Sequence, residues 1–106
     1  FALHNDTPVT PISPLMDVFS AVNRLTSSGK VLGPDQRIDV MEALRGVTIN
    51  GAYMQRLEDK IGSLEKGKLA DMVILDKDPT KVDPVKLKDV MVEETIVGGN
   101  TVYKRA

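Results

Sequence analysis

The residues best suited to chemistry lie near the start of the chain, where Asp6 follows His4 by two positions. A short apolar segment, Phe1–Leu3, precedes them, and a loop rich in proline follows. In a parallel barrel, catalytic side chains lie at this kind of position, where a strand ends. Residues two apart on a strand project to the same face, so His4 and Asp6 could share a cation. The pattern predicts a strand over Phe1–His4 with a metal or proton-transfer group at its end.

Both candidates also have a purely structural interpretation. An aspartate ahead of a proline-containing loop often forms an Asx turn at the surface, and a lone histidine is more often a packing residue than a ligand. Catalytic zinc normally uses three protein ligands and a water. The chain has one histidine and no cysteine. We therefore expect the chain by itself to bind no zinc.

Composition excludes several functional classes. The net charge of the 106 residues is −1, so nothing indicates binding to nucleic acid or to an anionic membrane. No apolar run reaches the length of about 20 residues that a membrane helix needs, and no signal-peptide pattern opens the chain. We expect a cytoplasmic protein, and because the chain starts at Phe1 rather than Met, a piece of a larger one.

The first predicted helix follows the proline-rich loop. Ser13 and Pro14 are typical of a helix start, with the serine as N-cap and the proline at the first helical position. Apolar residues then recur at three- and four-residue spacing to about Thr26: Leu15, Val18, Phe19, Val22 and Leu25. This periodicity predicts an amphipathic helix with one face in the core.

Two shorter helices are predicted next. Asp39 and Glu42 form a capping-box pattern, which predicts a helix over Val40–Arg45. Thr48 is then predicted to cap a third helix that ends near Leu57. Nothing in this region pairs a nucleophile with a base, so its role is interpreted as structural.

Strands are predicted only in the last third of the chain. Ala70–Leu75 is interpreted as a buried strand, and Val85–Asp89 as a short turn or 3₁₀ segment. Val90–Val97 and Thr101–Lys104 are predicted to pair as a hairpin through Gly98-Gly99-Asn100, which has the turn residues such a connection requires.

The segment Gly62–Asp76 combines a polar turn with an apolar run. Glu65–Lys68 contains a glycine that can take a positive φ, and Met72–Leu75 is bounded by an aspartate on each side. The string Gly62-Ser63-Leu64-Glu65-Lys66-Gly67-Lys68-Leu69-Ala70-Asp71-Met72-Val73-Ile74-Leu75-Asp76 closely resembles a segment near the C-terminus of the amidohydrolase superfamily.

Two further motifs strengthen this resemblance. His4-Asn5-Asp6-Thr7-Pro8-Val9 is similar to the end of the eighth barrel strand, in the branch known as amidohydrolase family 3, which includes formamide deformylases. Asp39–Ala52 resembles a helix pair of the same family. The resemblance implies an α/β enzyme, and an α+β fold for this piece alone. Residues 1–61 would be the last strand, loop and helices of a TIM-like barrel, and residues 62–106 the C-terminal strands of a composite β-sandwich.

The resemblance also implies a function. The chain would be the C-terminal portion of a metal-dependent hydrolase that cleaves the non-peptide C–N bond of a small-molecule amide, with a divalent metal, zinc being the expected one. An aspartate at the position of Asp6 binds or faces the metal in that family and handles the proton of the hydrolytic water. Asp6 is thus the predicted catalytic residue and metal ligand, and His4 a second candidate ligand. The other ligands belong to earlier strands, so the isolated chain is expected to be inactive.

The alternative class is a non-enzymatic structural or binding module. In family members, strands from the N-terminus complete the sandwich, and this chain has none of them. The predicted strands after Ile61 then leave an unpaired edge and apolar faces, an arrangement that favours pairing with another chain. We expect a homo-oligomer, most simply a two-fold dimer formed through the sheet, with no nucleic-acid or membrane partner.

Overall fold

A computed structural model describes all 106 residues as an α+β chain. Helices come first and strands last, as predicted: α1 (Pro14–Asn23), α2 (Val40–Gly46), α3 (Ile49–Met54), β1 (Met72–Leu75), β2 (Val92–Val97) and β3 (Asn100–Lys104). Two 3₁₀ segments, Pro34–Gln36 and Pro84–Asp89, lie between them. None of the helices is both long and apolar enough to span a bilayer.

Helix α1 begins at its predicted cap. The side chain of Ser13 accepts a hydrogen bond from the backbone N–H of Met16, which satisfies one of the free amides of the first turn. The helix ends at Asn23, earlier than the predicted Thr26. It ends there because Arg24 has a left-handed backbone with a φ of 54°.

The capping predictions for the next two helices have different outcomes. Asp39 caps α2 by accepting a hydrogen bond from the N–H of Glu42 at 2.9 Å. Thr48 precedes α3, but the predicted cap is wrong, because its hydroxyl donates to the carbonyl of Leu44 at 2.7 Å. This bond points the hydroxyl back to α2. Helix α3 is also shorter than predicted and ends at Met54.

The strand predicted over Phe1–His4 is absent. A strand satisfies its backbone groups by pairing with a neighbour, and none of the three strands lies beside this segment. The N–H of Leu3 instead donates to the carbonyl of Gly46 at 3.0 Å. The start of the chain is therefore held by the end of α2 rather than by a sheet.

The sheet is antiparallel with the order β1-β2-β3. The predicted hairpin is confirmed, with Gly98 and Gly99 at φ values of 57° and 82°. The prediction that β1 is fully buried is wrong, because Val73 and Ile74 are 54% and 46% exposed. The reason is its position: β1 is an edge strand, and no second layer of this chain fully covers either face of it.

Two aspartates hold the ends of β1 in place. The carboxylate of Asp71 accepts a hydrogen bond from the N–H of Gly98 at 2.8 Å, at the turn of the hairpin. The carboxylate of Asp76 accepts one from the N–H of Met91 at 2.8 Å, just before β2. These two hydrogen bonds therefore hold both ends of the apolar strand β1 in register with β2.

The hydrophobic core lies between α1, α2 and the second 3₁₀ segment. Its centre consists of the buried residues Val18, Phe19, Ala43 and Leu87. The buried amide of Asn23 joins the same elements, since it donates to carbonyls in α1 and in the 3₁₀ segment at 3.0 and 2.9 Å. This core combines residues from both predicted regions, and the boundary between 1–61 and 62–106 stays a prediction.

Candidate functional site

The predicted site residues lie at an open cavity of about 280 Å³ beside the start of α1. Its polar lining includes His4, Asn5 and Asp6 from the N-terminal segment, together with Asp17 from the first turn of the helix. The apolar part of the wall includes Leu3. The structure therefore brings both predicted residues to one cavity, although the strand that was expected to align them is absent.

Asp6 lies in a tight turn. Its φ of 52° is in the left-handed region, which aspartate enters more readily than most residues other than glycine. Its backbone carbonyl accepts the N–H of Val9 at 2.8 Å. The carboxylate, which an Asx turn would use, takes no part in this turn. The turn is thus built from main-chain groups, and the Asp6 side chain is exposed at the cavity.

Asn5 connects this turn to α1. Its side-chain amide donates to the carboxylate of Asp17 at 2.8 Å and to the carbonyl of Ser13 at 3.2 Å, and its side-chain oxygen accepts the N–H of Ser13 at 3.0 Å. Neither Asn5 nor Asp17 is predicted as a site residue from the sequence. Two sequence features could have indicated them: an asparagine next to Asp6, and an acidic residue in the first turn of a predicted helix. Both are common where a loop closes.

The electrostatics of the cavity involve Asp17 and His4. Burial raises the pKa of the Asp17 carboxyl above its usual value, and the charge of His4 acts in the opposite direction. Asp17 accepts the hydrogen bond from Asn5 while partly removed from water, so its charge is only partly compensated. His4 therefore lies close enough to Asp17 to interact with its carboxyl group electrostatically.

The side chains of this cavity do not form a complete metal site. Nowhere in the chain do three His, Asp or Glu side chains come together in a group that could hold an ion. A catalytic zinc needs three protein ligands. Asp6 and His4 therefore do not make a complete zinc ligand set within these 106 residues.

A larger open cavity of about 600 Å³ lies between α3 and the sheet. Its wall is mainly apolar and includes Ala52, Ile96 and Val97. Asp71 is its only ionisable lining residue, and it already holds the hairpin turn. This cavity offers apolar contact area rather than groups for catalysis.

The fold is similar to that of a known hydrolase class. The structure superposes on the crystal structure of an amidohydrolase from Thermotoga maritima with a TM-score of 0.74 and 28% identity, over 98% of this chain and 23% of that one. The model of the amidohydrolase family matches residues 1–103. The chain therefore belongs to the amidohydrolase family.

Curated relatives agree with this assignment. The chain is 36% identical over 104 residues to an N-substituted formamide deformylase from Arthrobacter pascens, covering 98% of this chain and 19% of the relative. It is 38% identical over 71 residues to a 5-methylthioadenosine/S-adenosylhomocysteine deaminase from Teredinibacter turnerae, covering 66% of this chain and 16% of the relative. The chain spans less than one fifth of the length of these two relatives.

Proposed function

We propose that this chain is the C-terminal part of a metal-dependent hydrolase that cleaves the non-peptide C–N bond of a small-molecule amide. The observation that carries the proposal is the Asp6 turn, which presents a carboxylate at a cavity in a chain whose residues 1–103 match the amidohydrolase family. The deformylase relative supports an amide substrate. The deaminase relative shows that family members act on different C–N bonds. Hydrolysis of a C–N bond is therefore the broader part of the proposal, and an amide substrate is the narrower part.

In this proposal Asp6 contributes one ligand and handles a proton, and His4 is a second candidate ligand. The divalent metal, with zinc as the expected ion, would lower the pKa of a bound water towards neutrality. A carboxylate within hydrogen-bond reach can accept a proton and pass it to the leaving amine. The Asp6 carboxylate suits this role because it is exposed at the cavity and takes no part in the turn that holds its backbone.

The proposal includes the architecture of the whole protein. Residues 1–61 would close a TIM-like barrel and residues 62–106 would complete a β-sandwich, with the missing strands and ligands supplied by the rest of the protein. The incomplete ligand set and the exposed edge strand β1 support this proposal. We accordingly propose that the 106 residues alone are inactive. A cytoplasmic location stays a prediction.

The test is Asp6→Asn in the full-length protein, assayed with N-substituted formamides. The amide has the shape of the carboxylate but cannot accept the proton, so we expect turnover to fall by about 10²-fold or more. Asp59→Asn, which makes the same change at an exposed position, is the matched control. Near-normal turnover in the Asp6 variant would assign this aspartate to the turn alone and remove the basis of the proposal.

A second candidate function is self-association as a structural module. Five large hydrophobic residues of the sheet are at least 46% exposed: Val73, Ile74, Val97, Val102 and Tyr103. The outer edges of β1 and β3 are unpaired, so their free N–H and C=O groups can pair with another copy. This surface supports the homo-oligomer proposed for the chain.

A further inference from the structure

Asn5 is tied to helix α1 by an unusually complete set of side-chain hydrogen bonds. Its amide nitrogen donates to Asp17 and to the carbonyl of Ser13, and its oxygen accepts the N–H of Ser13. Only the NH₂ group can donate to a carboxylate and only the oxygen can accept from an N–H, so the orientation of the amide is defined. The side chain thus joins two points that are eight residues apart in the chain.

The loop between these points is closed by two more bonds. The hydroxyl of Thr10 donates to the backbone carbonyl of Asn5, and the N–H of Val9 donates to the backbone carbonyl of Asp6. Asp6 thus lies between a residue tied to α1 and a turn closed on itself. A left-handed φ costs free energy and persists only where surrounding contacts impose it. The contacts that impose it here are the hydrogen bonds of Asn5, Val9 and Thr10.

We propose that Asn5 is a positioning residue that holds the carboxylate of Asp6 in place by tying its loop to the N-terminal turn of α1. This inference rests on the proposed function of Asp6 and adds a residue to the same site. In this role Asn5 acts through the backbone of the loop. Its partner Asp17 completes the link and is rigidly placed because it belongs to a helix.

The informative substitution is Asn5→Asp, which preserves shape and replaces the donating NH₂ by oxygen. It removes both donated hydrogen bonds and places a second carboxylate about 2.8 Å from that of Asp17. Displacing a catalytic group by about 1 Å can lower turnover by about 100-fold. We expect kcat to fall on that order with little change in KM, because substrate contacts other than Asp6 are retained.

A second substitution restores the pair with its direction reversed. In Asn5→Asp combined with Asp17→Asn, the new amide at position 17 can donate to the new carboxylate at position 5. The bond to the carbonyl of Ser13 stays lost, so we expect partial recovery of kcat. If Asn5→Asp only lowered the amount of folded protein, turnover per folded molecule would not change. The second substitution, Asp17→Asn, would then have no loss of kcat to restore.

The experiment measures kcat, KM and hydrogen exchange of the peptide covering residues 5–13 in the full-length protein. Asn100→Asp is the matched control, because it makes the same chemical change at an exposed residue of the hairpin. Faster exchange and lower kcat in Asn5→Asp, with both partly restored by Asp17→Asn, would confirm the inference. Unchanged kcat in Asn5→Asp, with or without faster exchange, would overturn it.

The same experiment separates this inference from the proposed function. If Asp6→Asn loses turnover while Asn5→Asp does not, the catalytic role of Asp6 stands and the positioning role of Asn5 is wrong. If Asp6→Asn keeps full turnover, the proposed function fails, and the positioning role that depends on it fails as well.

Discussion

Gly62 is the position where a single added methyl group should have the largest calculable effect on stability. It has a φ of +92°, and a Cβ atom there would lie 2.8 Å from the Cβ of Ala52 and 3.0 Å from the Cα of Ile49. Both distances are shorter than normal van der Waals contact, and both partners belong to α3. Since the Ile49 contact is to backbone, the clash cannot be relieved by rotating a side chain.

The expected cost of Gly62→Ala has two parts. A left-handed backbone costs an alanine about 1–2 kcal/mol relative to glycine. Overpacking a closely packed site costs typically about 1–3 kcal/mol more. The sum is about 2–5 kcal/mol, a large share of the stability of a small domain.

Gly67→Ala is the control that separates the two parts. Its φ of +94° is nearly the same, but no atom lies within 4 Å of the Cβ position. It should therefore show the backbone cost alone, and the effect of the alanine on the unfolded chain cancels between the two variants. The difference between Gly62→Ala and Gly67→Ala should be about 1–3 kcal/mol.

The assay is urea unfolding of the 106-residue chain and both variants at one low protein concentration, followed by far-UV circular dichroism. Midpoints and slopes give the free energy of unfolding in water. Equal destabilisation of the two variants, within about 0.5 kcal/mol, would show that residue 62 does not pack against α3. No destabilisation of Gly67→Ala would refute the estimate of backbone cost.

Three further predictions follow from the core, the cavity and the sheet. Leu87→Ala should destabilise the chain by about 2–5 kcal/mol in the same urea assay, because the side chain is fully buried. The control Val85→Ala, at an exposed residue nearby, should cost under about 0.5 kcal/mol. Equal costs for the two variants would contradict the assignment of Leu87 to the core. Burial raises the pKa of Asp17 from 3.8, so its contribution to stability is full below that pH and declines as the pH rises through the raised pKa. The Asp17→Asn variant cannot ionise at this position, so the unfolding free energy of the variant minus that of the unmodified chain should increase as the pH rises through this acid range. A difference that does not change with pH would be inconsistent with the raised pKa. The chain should self-associate in light scattering across a dilution series, and Val102→Lys should weaken the association; a monomer at every concentration would exclude the sheet as an interface.

Local chemistry was sufficient to predict much of the secondary structure. Ser13 and Asp39 act as caps because a side-chain oxygen near a free amide needs only the adjacent turn of helix. The glycine pair of the hairpin provides positive φ values without help from distant residues. The order of helices and strands and the family resemblance were likewise readable from the sequence alone.

Two errors fall where the outcome depends on distant partners. Phe1–His4 has strand-like residues but no neighbouring strand with which to pair, and β1 has buried-strand residues but an exposed position. The Thr48 error is local, because its hydroxyl has two possible uses and donates to the carbonyl of Leu44, four residues earlier, instead of capping α3. In the first two cases the residue types were interpreted correctly and the tertiary surroundings decided the outcome.

The candidate site shows the same division. The sequence by itself predicted His4 and Asp6 as candidates for metal and proton chemistry, because side-chain type sets that ability. Only the tertiary structure decided that they share a cavity with Asp17, and that Asn5 ties their loop to α1. Those contacts depend on the folded positions of residues 5, 13 and 17, and hydrogen bonds form only when donor and acceptor are brought within about 3 Å of each other.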